Sequence, residues 1–251
     1  MLNNDYYPTI FKRKSFHLFM GCGDEHISEA ELKGIEEAFA SAERLYPDIR
    51  TAIRIVPTSE AAMKRDAEYC VLLYSEEKPN YLLNAGYIGE QLDLYLQKNN
   101  LASLWCGLAK PDTDTYDGLK YVILFAVRKV SDAGKYRKDM FKASRKSLKE
   151  IWTGDTPDWA NIARFAPSAC NSQPWRVHFE NGELTVTRYK KQNKVGLLTP
   201  KAAFFFNRID VGIFLCFLEI CLAEKGIAFT RELFPDEEDK ETSLVAKYKL
   251  Q

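Results

Sequence analysis

The stretch GYIGEQLDLYLQKNNL, Gly86 to Leu101, can be laid on GIFLCFLEICLAEKGI, Gly212 to Ile227, at an offset of 126 positions (212 minus 86). Leu92, Leu94, Leu96 and Leu101 then fall on Leu218, Ile220, Leu222 and Ile227. A shorter echo precedes it. Arg13-Lys14-Ser15-Phe16 recurs as Arg145-Lys146-Ser147-Leu148, an offset of 132 (145 minus 13). Both copies run in one order, a basic start, a long apolar helix and then strands, so the chain reads as an internal duplication. A duplicated chain can fold as the single-chain version of a homodimer, with a pseudo-two-fold axis in place of a true one. From Val130 to about Asp158 the composition turns basic, polar and poor in branched aliphatics, which places the join. The expected halves are residues 1–138 and 139–251.

Outward from the repeat, the local signals are those of a mixed α/β (α+β) chain. Ser28 with Glu31 makes a capping box at the head of an amphipathic helix expected to run to about Tyr46. Ser59 can cap a second helix through Lys64. AEYCVLLY, LASLWCG and YVILFAV have strand character, with a long helix from about Asn80 to Lys98 among them. In the second half VHFENGELTV is a hairpin around Asn181-Gly182, a dipeptide that accepts the positive φ of a type I′ turn. A helix from about Lys201 to Lys225 and two strands, IAFTRELF and SLVAKYKL, follow.

The chain has 251 residues, 46% hydrophobic, enough for a full core. Thirty-five Lys plus Arg balance thirty-five Asp plus Glu, so no net field favours nucleic acid or an acidic membrane. The N-terminus lacks a secretory pattern, and the most apolar run, Val211 to Ala223, is shorter than the ~20 residues that span a bilayer. Six scattered cysteines without a CxxC pair fit reduced core thiols in a cytoplasm. A cytoplasmic chain is expected, without nucleic-acid or membrane partners. No dinucleotide, phosphate-loop or zinc motif is present, and His26 and His178 read as surface and strand residues rather than as members of a hydrolytic triad. Gly21-Cys22-Gly23 is a turn, not the start of a glycine-rich loop. No metal site is expected.

Three segments remain as carriers of chemistry. KRKSFH, with Arg13, Lys14, Ser15 and His17, reads by residue type alone as a solvated helix end. Pro167-Ser168-Ala169-Cys170-Asn171-Ser172-Gln173-Pro174-Trp175 is a loop framed by two prolines. Its hydroxyls and amides suit hydrogen bonding to a polyhydroxyl chain or a heterocycle edge. Trp105-Cys106-Gly107 sits at a strand end, where glycine lets a flat ligand approach the backbone.

With RKSFHLF, the Gly86 to Gly107 stretch, KYR at Lys135 to Arg137 and APSACNSQPW, the chain resembles the FMN-dependent nitroreductase family. It is most similar to the subgroup in which one chain mimics the family's dimer. The resemblance implies that Arg13 and Arg137, with Lys135, hold the FMN phosphate. Lys14 lies among them, and Ser15 adds a phosphate or ribityl bond. Ser168, Asn171 and Gln173 would reach the flavin from the other half, and backbone amides around Cys106 and Gly107 would face its N5 and O4 edge. His17 stands where relatives usually carry Arg or Lys, so its charge beside the pyrimidine would depend on protonation, with Lys64 the alternative. The first half has YPDIRTAIRIV where a second polar loop would be, so one flavin per chain is expected.

The activity so implied is hydride transfer from NADH or NADPH through flavin N5 to a nitroaromatic, quinone or similar small acceptor, with no side chain required as acid or base. An oxygen-dependent flavin-degrading enzyme and a flavin-binding sensor or store are the alternatives. The expected state is a monomer, with a weak homodimer as the other option.

Overall fold

The computed structural model describes residues 4–61, 63, 65–107, 109–189, 196, 198–237 and 240–251. Two units emerge. One holds Pro8–Tyr81 and Ile88–Met140; the other holds Met1–Tyr7, Leu82–Tyr87 and Phe141–Gln251. Of the described residues, 4–7 and the six-residue stretch Leu82–Tyr87 of a long helix therefore group with the C-terminal stretch of chain.

The N-terminal unit is built on an antiparallel sheet. Its strands are β1 (Thr51–Pro57), β2 (Tyr69–Ser75), β3 (Leu101–Cys106), β4 (Thr115–Tyr116) and β5 (Leu119–Lys129). The order is β1-β2-β5-β3, with β4 paired to β5. β2 and β5 are central and almost wholly buried, which is why YCVLLYS and YVILFAV read as apolar runs rather than alternating patterns. Phe16, Phe19, Cys70, Leu72, Leu104 and Leu124 form the core on one face. Helix α1 (Tyr7–Lys12) leads into the basic segment, and helix α2 (Glu29–Ser41) carries the expected capping box, with Ser28 and Glu31 each taking the other's backbone N–H. α2 ends at Ser41, short of Tyr46, because Ala42 is already extended (φ −61°, ψ 136°). The helix expected from Ser59 is a single 3₁₀ turn, Thr58–Ala61, while Lys64 lies outside the described residues. TAIRIVP, not recognised as a strand from sequence, is the edge strand β1; its half-buried side chains give no clean two-residue pattern. The long helix α3 (Tyr81–Lys98) contributes Ile88–Lys98 here, and a Cβ on Gly89 would collide with the Trp105 and Phe125 rings.

In the C-terminal unit a second sheet has the order β6-β7-β8-β10-β9, from β6 (Trp152–Gly154), β7 (Trp175–Glu180), β8 (Glu183–Tyr189), β9 (Phe229–Leu233) and β10 (Thr242–Leu250). Among the described residues only the β6–β7 pair is parallel. The β7–β8 hairpin turns at Asn181 (φ 53°) and Gly182 (φ 78°), the positive pair a type I′ turn needs. Two short helices, α4 (Leu148–Ile151) and α5 (Asp158–Ala163), precede the loop at Pro167. Helix α6 (Pro200–Glu224) starts with Thr199 as N-cap and proline at its head, and is buried nearly all round from Ile209 to Leu222. Trp175 stacks on Phe214 of α6, ring centroids 4.9 Å apart. Leu82–Tyr87 of α3 packs on α6 in this unit through Gly86 and Gly212. Among the described residues no helix is long and apolar enough to cross a membrane.

The expected α+β class is the observed one, with two sheet-and-helix halves in one chain.

Candidate functional site

In the N-terminal unit two basic segments more than a hundred residues apart in sequence meet. α1 ends as Arg13 N donates to Thr9 O (2.8 Å) and the chain then runs extended. Two bonds fix its course: Lys14 N to Gln97 Oε1 of α3 (2.8 Å) and Phe16 N to Ser103 O of β3 (3.1 Å). Phe16 is buried against Phe19 and the edge of Tyr136, which brings the Lys135-Tyr136-Arg137 segment alongside. Asp132 caps the 3₁₀ turn before it by accepting from Gly134 N. Arg137 then donates its N–H to Lys12 O and its Nε to Arg13 O, each at 3.0 Å, while Lys14 Nζ donates to Lys135 O, also at 3.0 Å.

These cations are not equivalent. The Arg13 side chain is 5% exposed, and its Nε lies 2.6 Å from Asp93 Oδ2 and 3.3 Å from Glu90 Oε1. KRKSFH is therefore not a solvated helix end at Arg13; an internal ion pair with α3 buries it, and partners eighty residues away left no local signal. Asp93 Oδ1 also accepts from Gln97 Nε2 (3.2 Å) and from the Ser103 hydroxyl. Neither Glu90 oxygen makes a hydrogen bond, and burial raises Glu90 well above the usual carboxylate range, beyond the opposing pull of Arg13. Lys14 and Arg137 instead rest on backbone carbonyls, which carry no compensating charge. Burial, and after it the charge of Arg13, lowers the Arg137 pKa. An incoming anion would relieve that repulsion.

Ser15 is half-buried and His17 is exposed, with its carbonyl accepting from Arg65 Nη1 (3.1 Å). The Phe16–Ser103 bond ties the basic segment to the strand that ends at Cys106. That thiol is half-buried and pushed up to about 11 by desolvation, and Gly107 beyond it is exposed.

In the C-terminal unit the Pro167–Trp175 loop is held from inside. Cys170 (φ 48°), Asn171 (φ 54°) and Gln173 (φ 47°) all sit in the left-handed region, a conformation that costs a non-glycine residue on the order of 1 kcal/mol or more. Hydrogen bonds hold it there. Ser168 Oγ accepts from Gln173 N (3.0 Å), and Gln173 Oε1 accepts from Lys146 N (2.8 Å). Asn171 Oδ1 accepts from Arg145 Nη1 (3.0 Å) and Gln173 Nε2 (3.1 Å). From α6, Asp210 accepts from Ala169 N (2.8 Å) and the Ser172 hydroxyl (3.0 Å). Of Ser168, Asn171 and Gln173, Asn171 is exposed, Ser168 half-buried and Gln173 buried, and Cys170 beside Asn171 is exposed as well.

Sequence reasoning passed over Glu90, Asp93, Gln97 and Asp210. Each is a polar residue on a buried apolar helix, and the 90, 93, 97 spacing sets three of them on one face of α3, a legible signal.

A search of curated protein sequences found no match. Among solved structures, a Thermotoga maritima protein described as a "putative nitroreductase" shares the fold at a TM-score of 0.62 and 16% identity, covering 98% of this chain and 93% of its own. A nitroreductase family protein of Clostridium difficile is 16% identical with a TM-score of 0.47, covering 62% of this chain and 100% of its own. A Desulfovibrio desulfuricans "putative nitroreductase in complex with fmn" gives 16% and 0.45, covering 62% and 100%. The family model described as "Putative TM nitroreductase" matches residues 5–222. With that match spanning most of both units, the chain belongs to this nitroreductase family.

Proposed function

We propose that the chain is an FMN-dependent oxidoreductase that uses NADH or NADPH to reduce a nitroaromatic, quinone or similar small acceptor. One observation carries the reading: the Arg13 and Lys135–Arg137 segments converge into a cationic cluster in which, among the described residues, Asp93 and Glu90 form their ion pairs with Arg13. The donor set fits a phosphate monoester, because lysine ammonium and arginine guanidinium groups seated on carbonyls keep their charge for a dianion. When bound, FMN would supply hydride chemistry at its N5 atom. The protein's part is to bind and orient. Arg13 and Arg137, with Lys135 and with Lys14 among them, would hold the phosphate, Ser15 would add a hydroxyl, and the backbone past Cys106 would border the ring. In the other unit, Ser168, Asn171 and Gln173 are the remaining residues this reading assigns to the cofactor. Their loop is already fixed by its own hydrogen bonds, so it would lose little conformational entropy on binding.

The test is the visible spectrum of the purified protein, followed by anaerobic titration with NADH and NADPH. A flavin spectrum bleached by either donor and restored by a quinone is the expected result. A protein that neither carries nor takes up FMN overturns the reading. Irreversible loss of flavin under NADPH and oxygen would replace it with flavin degradation, and stable flavin without turnover would replace it with a sensor or store.

A further inference from the structure

We propose that the second copy of the basic segment, at Arg145 and Lys146, is a clamp that presets the polar loop at residues 170–173, so that both act as positioning residues for the ligand this loop meets. The ligand half of the statement rests on the flavin reading above; the clamp itself does not. Arg145 stands at the repeat offset of 132 from Arg13 (145 minus 13), and Lys146 at the same offset from Lys14. Both copies keep one backbone contact: Lys14 N donates to Gln97 Oε1 and Lys146 N donates to Gln173 Oε1, each at 2.8 Å. The two glutamines are not repeat equivalents, since one lies on α3 and the other in the loop, 76 positions on (173 minus 97). The same backbone contact is thus made by a different element in the second copy, and that element is the loop.

The side chains diverge further. Arg13 faces the carboxyl groups of Asp93 and Glu90. In Arg145 all three guanidinium nitrogens donate to neutral oxygens: Nε and Nη2 to Phe165 O (3.4 and 3.3 Å), and Nη1 to Ser144 O (2.8 Å) and Asn171 Oδ1 (3.0 Å). Lys146 Nζ donates to Ser172 O (2.8 Å) and Gln173 O (3.2 Å). Asn171 Nδ2 returns a bond to Ser144 O (3.1 Å), so both ends of that amide are committed to the segment. A guanidinium spread over these oxygens would have to give up loop contacts to take a phosphate, while its planar fork fixes Asn171 relative to the Phe165 carbonyl. The loop depends on such support. Cys170, Asn171 and Gln173 hold positive φ against the preference of their side chains, so the shape persists only while bonds from outside the loop outweigh the strain. Arg145 and Lys146 supply charge-assisted bonds, and Asp210 of α6 adds those to Ala169 N and the Ser172 hydroxyl. The exposed Cys170 and Asn171 are then offered to a ligand in one conformation, which lowers the ordering cost of binding.

The experiment has two readouts on the full chain. The first is hydrogen exchange of the loop without flavin. Arg145→Ala should speed exchange across residues 169–173 about tenfold while peptides from α6 keep wild-type rates. The second is fluorescence titration with FMN and with riboflavin, which lacks the phosphate. A residue that acts through the loop does not touch the phosphate, so Arg145→Ala should weaken both flavins by the same factor, roughly tenfold. If that variant fails to fold, Arg145→Lys keeps the charge, loses the fork and carries the same expectation. Wild-type exchange in the loop would overturn the clamp. Faster exchange with both affinities unchanged would overturn the positioning role, and a loss confined to FMN would overturn it by showing a phosphate contact at Arg145. A wild-type chain that binds neither flavin brings down the flavin reading and the positioning role with it, while exchange still decides the clamp.

Discussion

Gly86 and Gly212 are reciprocal partners in the C-terminal unit: a Cβ on Gly86 would lie 2.0 Å from Ile209 O, and one on Gly212 would lie 2.0 Å from Leu83 O. In each case the glycine meets the carbonyl three residues ahead of the other glycine. The offset of 126 that relates the glycines (212 minus 86) also relates Leu83 to Ile209 (209 minus 83). The repeat is thereby present as a local pseudo-two-fold contact between two helices, with backbone against backbone.

Neither glycine can gain a methyl group without moving a main chain. Gly86→Ala and Gly212→Ala should each lower unfolding free energy by about 2–3 kcal/mol in urea denaturation. Gly226→Ala, at a glycine whose Cβ would meet nothing within 4 Å, separates packing from backbone effects: it should cost only the strain of its φ of 66°. Equal losses at Gly212 and Gly226 would show that close approach is not the cause.

Glu219 is the acceptor for three donors in the same unit: the buried Tyr87 OH at 2.6 Å and Tyr248 OH at 2.7 Å, and the half-buried Arg231 Nη1 at 2.5 Å. Glu219→Ala should destabilise by about 3–5 kcal/mol, since it leaves a half-buried guanidinium and two phenols without their partner. Glu219→Gln keeps the volume and one acceptor and should cost less. Thermal unfolding of both variants orders them.

Asp210 is fully buried, and desolvation raises its pKa from 3.8 to about 8 against the pull of its bonds from Ala169 and Ser172. The unfolded chain releases this proton near pH 4 and the folded one only near pH 8. Between those values the folded state binds more protons, so stability falls as pH rises. Asp210→Asn, which mimics the protonated acid, should match wild type near pH 4 and exceed it by on the order of a few kcal/mol at pH 8. Parallel melting-temperature profiles across that window would contradict the assignment.

Among the six cysteines, Cys170 is exposed in the strained loop, Cys106 is half-buried and the other four are buried. Burial holds Cys106 at about 11 and Cys70 at about 12, so neither is a thiolate at neutral pH. At pH 8 an aromatic disulfide reagent should modify one thiol per chain rapidly, and Cys170→Ser should abolish that phase. A rapid phase that survives the substitution would place the accessible thiol elsewhere.

What the sequence determined by itself is what depends on neighbours along the chain or on periodicity. Ser28 and Glu31 cap a helix because they lie three residues apart, and Asn181-Gly182 turns a hairpin because both residues accept positive φ. The aligned glycines survive as a contact because duplication copies whole surfaces. Tertiary structure alone decided the rest. KRKSFH looks solvated until Asp93 and Glu90 arrive from α3, and a long-range ion pair leaves no trace in local composition. The three-residue strand β6 exists only because β7 offers a parallel partner, and TAIRIVP is a strand because it edges β2. The loop at Cys170 adopts left-handed backbone angles against the preference of its residues, because Asp210 and Arg145, brought to it by the fold, hold it by hydrogen bonds that sequence neighbours could not supply.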